Sequence, residues 1–379
     1  MINPLRAGLT AALILSSTPA LAAQTISVTD IAGRTVTVNQ PVQSMILGEG
    51  RQFYVTAALD ADKPFGRIVG WQTDLKNVDP GGYAAYRDRF PEIDQVAEFG
   101  NPGRGAFSAE KAIAMKPDLV FMHLQVHEAT KASGLLDQLA AADIPVVFVD
   151  FRERPLDNTI PSMLLMGRLL ERQERAQAMA DFLLREQATV YQRIAALKGP
   201  RPKVFIERAA GGGFFKNDCC ETWGAESLGL LIERAGGENI AATLLPGPTG
   251  SLNPEQVMTS SPDIFIVTGS DWDSLAPGNT AAPVGAGADP RRVQERLHSL
   301  ASRYGFEELS ALKGGHFHAI WHQFYNSPYN FVALQAFAKW INPQAFADID
   351  PDETFKRFHD AFLPVAYRGG YFATLDPAS

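Results

Sequence analysis

Four arginines carry the most direct chemical signal in this sequence. Arg51, Arg104, Arg152 and Arg208 each follow a short apolar run by a few residues. Guanidinium groups match carboxylate and catecholate oxygens as two-pronged donors, so arginines gathered at such positions read as a grip on an anion. Trp71, Trp223, Trp272 and Tyr325 supply flat apolar surface for the walls of the same site. His322 and Tyr325 stand three residues apart beyond the apolar run 316–321, and both are metal-ligating types. His316, His318 and His322 share parity, so an extended strand puts them on one face. The first two open the strand rather than end it, which sets His322 with Tyr325 apart as the better pair. Taken singly, each arginine reads as a solvated surface residue and each tryptophan as core. Only their recurrence at equivalent places makes a site.

Those places are set by an alternating pattern. Apolar runs at 44–47, 67–70, 96–99, 119–122 and 146–149 alternate with helix-like segments at 54–59, 83–90, 108–115 and 134–142. Strands that alternate with helices form a mostly parallel sheet covered on both faces. In such sheets ligands bind beyond the carboxyl ends of the strands, where the arginines fall. A helical stretch, 156–198, follows without a strand and stops at Gly199-Pro200, with Arg172 as a possible break. Unbroken, about 40 residues at 1.5 Å each would span roughly 60 Å. The alternation then resumes with strands at 203–207, 263–268 and 316–321, and helices at 223–235, 253–259, 291–304, 329–340 and 352–362. Residues 275–289, rich in Gly, Ala and Pro, read as a mobile loop. The expected fold is α/β, with two Rossmann-like lobes of mostly parallel sheet (23–155 and 199–379) joined by one long helix (156–198).

Composition narrows the function. The 379 residues carry 34 Lys and Arg against 42 Asp and Glu, a formal net charge of −8, which argues against a nucleic-acid partner held by a basic face. Arg6, the apolar stretch 7–15 and Ala20-Leu21-Ala22 read as a cleavable export signal over residues 1–22. No cysteine lies near that site, so the expected product is periplasmic without a lipid anchor. Cys219 and Cys220 are adjacent; a vicinal disulfide, two free thiols and intermolecular pairing all remain open. Gly-x-Ser-x-Gly, His-Glu-x-x-His and phosphate-loop motifs are absent, and Gly211-Gly212-Gly213 does not continue into a dinucleotide fingerprint. Enzyme signatures are therefore scarce, and the expectation is no enzyme and no intrinsic cofactor.

One local pattern occurs twice. Ser108-Ala109-Glu110 opens a short helix that ends at Lys116-Pro117-Asp118 before the run Leu119-Val120-Phe121. Asn253-Pro254-Glu255 opens another, ending at Ser261-Pro262-Asp263 before Ile264-Phe265-Ile266-Val267. Ser108 and Asn253 are helix caps, and both glutamates fall where the helix dipole favours negative charge. Together with Ile31-Ala32-Gly33-Arg34-Thr35-Val36 and the closing Trp321-His322-Gln323-Phe324-Tyr325-Asn326-Ser327-Pro328, the pair resembles the class III periplasmic solute-binding proteins of ATP-driven importers, most of all their iron-complex branch.

That resemblance implies capture of a ferric siderophore between the lobes and delivery to an inner-membrane permease with its ATPase, by a monomer. Arg51, Trp71, Arg104, Arg152, Arg208, Trp223, Trp272, His322 and Tyr325 would line the ligand, with His322 and Tyr325 completing the coordination of its iron. Glu110 and Glu255 would dock against the permease. Haem, a corrinoid or an oxyanion such as molybdate is the alternative cargo on the same fold. A secreted enzyme that uses the cleft is a more distant alternative.

Overall fold

The computed structural model describes residues 24–215 and 219–377. The expected export signal at 1–22 lies outside the described residues.

The described chain opens with an antiparallel hairpin of β1 (Gln24–Thr29) and β2 (Thr35–Gln40). Gly33 turns it at a φ of 78°, and Asp30 fixes the turn by accepting from the Arg34 backbone N–H and side chain. Five strands then build the first lobe: β3 (Met45–Leu47), β4 (Ile68–Gln72), β5 (Ala97–Phe99), β6 (Leu119–His123) and β7 (Val146–Val149). All pair in parallel, in the order β5-β4-β3-β6-β7. The order reverses between β3 and β6, and their carboxyl ends flank the crevice where such a sheet holds a ligand.

The second lobe is built on β8 (Lys203–Glu207), β12 (Ile264–Gly269) and β13 (Phe317–Trp321), which run parallel with β12 in the middle. Every residue of β12 is buried, as a continuous apolar strand covered on both faces should be. Short strands finish the sheet. They are β9 (Glu221–Trp223), β10 (Glu238–Asn239), β11 (Thr249–Ser251) and β14 (Phe372–Thr374), and the full order is β11-β9-β8-β12-β13-β14 with β10 also beside β8. Their two or three residues are too few to show a period, so the sequence pattern missed them. Trp223 was expected on a helix and lies on β9. Its backbone pairs with Thr249, and the helix that follows starts only at Ser227.

The connection between the lobes is two helices, Pro155–Leu169 and Gln173–Ala196, instead of one rod. Glu171 adopts a left-handed φ of 57°, and the Arg172 N–H turns back to the Gly167 carbonyl at 2.7 Å. Gly167 makes the close crossing possible, because a Cβ there would fall 2.3 Å from that of Ala176. The longer segment spans about 36 Å at 1.5 Å per residue, well short of 60 Å. It docks on the second lobe through Phe182, edge-on to Phe331, Phe358 and Phe362. The first helix is also tied across, since Asn330 donates to Thr159 Oγ1 at 2.8 Å. The loop expected to be mobile is irregular but packed: residues 281–285 are buried, and Gly285 and Gly287 donate to Gly370 and Gly369.

Candidate functional site

The carboxyl end of β3 leads into Glu49-Gly50-Arg51. Gly50 donates to Asp74 Oδ1 at 2.6 Å, and a Cβ there would lie 2.5 Å from the Gln72 carbonyl oxygen, so only glycine permits this approach. Arg51 thereby enters the interface between the lobes. Its Nε donates to Asp74 (2.9 Å), Nη2 to Glu49 (2.5 Å), and Nη1 to both Gln323 Oε1 and the Tyr325 hydroxyl (2.9 Å each). Glu49 in turn accepts from Asn326 Nδ2 at 2.8 Å and faces His123 Nε2 at 3.4 Å. His123 Nδ1 accepts the Gln125 backbone N–H, which leaves the ring's proton on Nε2 toward Glu49. Glu49, Arg51 and Asp74 belong to the first lobe, and Gln323, Tyr325 and Asn326 to the second. The network is a buried polar seam between them.

Burial and charge oppose each other along this seam. Burial pushes Glu49 toward protonation, but Arg51, His123, Arg152 and Asn326 outweigh it and hold the carboxyl below its ordinary range. At Asp74 burial prevails over Arg51, and the carboxyl rises to about 6. Tyr325 moves the other way. Burial would raise it, yet Arg51 and Arg152 bring the phenol below its usual value.

Beyond the seam, the strand ends of both lobes gather the remaining groups. Arg152 and Arg51 stand over the Tyr325 ring at 5.0 and 5.5 Å. Arg208, just past β8, lies 5.5 Å from the Trp223 ring and 5.2 Å from that of Phe215. His322 is 4.7 Å from Tyr325, 5.2 Å from Trp272 and 5.8 Å from Trp223, centroid to centroid. Burial, with Arg208, Arg51 and Arg152 close by, holds His322 well below the ordinary imidazole range and favours its neutral form. Neither Arg152 nor Arg208 has a carboxylate within ion-pair distance among the described residues, and Arg208 Nε is buried without any partner. Two cations without an ion pair among the described residues, beside a phenol brought below its usual value, form a receptor for negative charge.

Six of the nine sequence-predicted ligand residues thus come together: Arg152, Arg208, Trp223, Trp272, His322 and Tyr325. Arg51 reaches the cluster but is 9% exposed, with its donors committed to four protein partners, so it supports Tyr325 instead of facing a ligand. Trp71 turns into the first lobe's core, edge-on to Phe53 and Phe65. Arg104 sits exposed in the turn after β5. His316, His318 and His322 do not converge; His318 stacks on Trp340 at 4.5 Å, inside the second lobe. Glu110 and Glu255 are exposed in the first turns of helices Ala109–Met115 and Pro254–Ser260. Cys219 and Cys220 are joined as a vicinal disulfide, buried among apolar side chains that include Phe205 and Leu252. Sequence reasoning gave no role to Asp74, Asn326 or Thr268. Asp74 and Thr268 lie at the ends of β4 and β12, which was the only available signal.

Two lobes of mostly parallel sheet whose strand ends meet at a charged, aromatic seam have the architecture of a solute-binding protein. The sequence profile of the periplasmic binding protein family matches residues 69–319, and the chain belongs to that family, in its class III branch. It is similar to the molybdate-binding protein MolA of Haemophilus influenzae, 20% identical over 94% of this chain and 96% of that one. A vitamin B12-binding protein of Yersinia pestis is 24% identical over 52% of this chain and 62% of its own length. Among solved structures, the TroA-like periplasmic binding protein FepB of Veillonella parvula matches 93% of this chain and 100% of its own, at 27% identity and a TM-score of 0.84. MolA with bound molybdate matches 90% and 99% at 19% identity and a TM-score of 0.68, a likeness of fold. No described helix is long and apolar enough to cross a membrane.

Proposed function

We propose that this protein captures a ferric siderophore in the cleft and delivers it to an inner-membrane ABC permease. The observation that carries the reading is the pair of arginines with no ion pair among the described residues, Arg152 over the Tyr325 ring and Arg208 over that of Trp223, beside His322. The guanidinium groups would hold the chelate's anionic oxygens, while phenolate and imidazole would fill coordination positions that a tetradentate chelator leaves open on iron. A cavity of about 790 Å³ adjoins Arg208, lined also by Gly211, Phe215 and Asn279, and would house the organic part of the chelate. Export to the periplasm by the signal at 1–22, and docking through Glu110 and Glu255, complete the proposal.

A compact oxyanion is the second reading. It is favoured by the mutual contact of the aromatic walls, whose centroids lie 4.7 to 5.9 Å apart, and by the full-length likeness to a molybdate-binding protein. Rings in contact leave no slot for a porphyrin or corrin plane between them, which counts against haem and vitamin B12.

Titration of tryptophan fluorescence separates the cases, because Trp223 and Trp272 flank the site. Saturable quenching by a ferric bis-catecholate chelate, with no response to molybdate, haem or cyanocobalamin, is the expected result. Saturation by molybdate alone would replace it with the oxyanion reading, and silence toward the whole panel would remove both.

A further inference from the structure

The Thr268 side chain is fully buried in β12 and has three hydrogen-bonding neighbours. The Ala209 backbone N–H donates to its Oγ1 at 2.8 Å, the Glu207 carbonyl oxygen lies 3.3 Å away, and His322 Nδ1 lies 2.8 Å away. A hydroxyl has one hydrogen and two acceptor positions. The Glu207 carbonyl can only accept, and in one arrangement it takes the hydroxyl hydrogen. The Ala209 N–H occupies one acceptor position, and the other is left for a hydrogen on His322 Nδ1. In the opposite arrangement the hydroxyl would donate to Nδ1, and the Glu207 contact would have no hydrogen. The first arrangement turns all three contacts into hydrogen bonds and the second only two, so the geometry favours the first.

The far side of the ring follows from this. A neutral imidazole with its hydrogen on Nδ1 has a bare lone pair on Nε2. That nitrogen makes no hydrogen bond among the described residues, and unlike His318 Nε2 it is not sealed from solvent. A bare lone pair repels an oxyanion, which needs donors, but suits a metal with an open coordination position.

We propose that Thr268 is a positioning residue that fixes His322 as the Nδ1–H tautomer and so selects a metal-centred ligand over a closed oxyanion. This rests on the cleft being the ligand site, but its first test needs no ligand. In protein labelled with ¹⁵N-histidine, long-range proton–nitrogen correlations report which nitrogen of His322 carries hydrogen, the signal being assigned by its loss in His322→Gln. The expected result is Nδ1–H in the wild type and in Thr268→Ser, which keeps the hydroxyl, and a switch to Nε2–H or a mixture in Thr268→Val. A wild-type Nε2–H signal, or a Thr268→Val spectrum unchanged from wild type, would overturn the proposal.

The second readout is affinity for a ferric bis-catecholate chelate. It should fall at least tenfold in Thr268→Val and recover in Thr268→Ser, while any molybdate binding should not weaken. Weakening of molybdate alone would overturn the selection. If the tautomer proves as assigned and no ferric chelate binds, the positioning stands and the siderophore reading fails.

Discussion

Arg51 reaches across the interface to donate Nη1–H to the Tyr325 hydroxyl at 2.9 Å, joining residues 274 positions apart in the chain. Arg51 belongs to the first lobe and Tyr325 to the second, so the contact couples the electrostatics of the cleft to the closure of the lobes. A guanidinium can serve Glu49, Asp74, Gln323 and Tyr325 together only because its donors form a rigid planar fork, and lysine could not replace it.

The first prediction tests that coupling by titration. In an ultraviolet difference titration, one tyrosine should ionise ahead of the rest, because burial raises Tyr54, Tyr86, Tyr329 and Tyr371 whereas two arginines lower Tyr325. Tyr325→Phe should delete the early step, and Arg51→Met should move it to higher pH. Removing Arg51 also strands Glu49 and Asp74 without their cation, a loss of the kind that costs about 3–5 kcal/mol for a broken buried pair. Urea unfolding of Arg51→Met should show it, with partial recovery when Glu49→Gln and Asp74→Asn are added. An early tyrosine step that survives Tyr325→Phe would contradict the assignment.

Arg208 should behave in the opposite way. Among the described residues it has no ion pair to lose, and burial together with Arg152 disfavours its charge. Arg208→Gln should therefore leave the unfolding midpoint unchanged or slightly raised. Ligand affinity should fall about 10–100-fold, the equivalent of a charge-assisted hydrogen bond worth about 1.5–3 kcal/mol. Arg152→Gln should act alike. Calorimetric titration with the ferric chelate checks both, and an arginine whose loss destabilises the fold without touching affinity is structural.

How far the site was legible in the sequence follows from these residues. That Arg152, Arg208, His322 and Tyr325 lie together was legible because a parallel sheet presents its strand ends on one side, and strand ends can be read from short apolar runs. Arg51 was found by the same rule but given the wrong neighbours. Nothing local in Glu49-Gly50-Arg51 reveals that Gln323 and Asn326 will arrive from the other lobe to absorb its donors. Trp71 failed for a related reason: the rule locates a strand end without saying which face the side chain takes, and Trp71 points into the core. The two-lobed alternation was plain from periodicity and so was a break near Arg172, whose cause is the Gly167–Ala176 crossing.

A third prediction concerns Asp79, which caps helix Pro80–Arg89 and accepts from Tyr54. Burial pushes its carboxyl up to about 6, against the lowering influence of the Gly82 N–H and the Tyr54 hydroxyl. An unfolded aspartate titrates near 3.9, so between about pH 4 and 6 the folded chain keeps a proton that the unfolded chain has lost. Stability must fall as pH rises through that window and stay lower above it. His322 contributes the reverse slope, since its depressed folded value makes stability fall as pH drops below about 6.5. Comparing Asp79→Asn with wild type cancels the histidine. The variant should gain about 2 kcal/mol relative to wild type between pH 4.5 and pH 7.5 in urea midpoints. Parallel pH dependences would show that Asp79 is not held protonated.

The last prediction concerns the outer surface. Ser108 and Asn253 cap the helices that carry Glu110 and Glu255, accepting from Lys111 N–H at 3.1 Å and Gln256 N–H at 2.8 Å. Each carboxylate is thereby presented from a fixed helix start on its own lobe. Reversing both, Glu110→Arg with Glu255→Arg, removes favourable dipole interactions of about 0.3–1 kcal/mol each. That is small against a typical domain stability of about 5–15 kcal/mol. Folding and ligand affinity should therefore survive while uptake, and stimulation of the importer's ATPase in vesicles, is lost. Each single reversal should retain partial stimulation, because one lobe would still be held. Stimulation that persists in the double variant would place the docking surface elsewhere, and a loss of ligand affinity would mean that the glutamates act on the cleft and not on the permease.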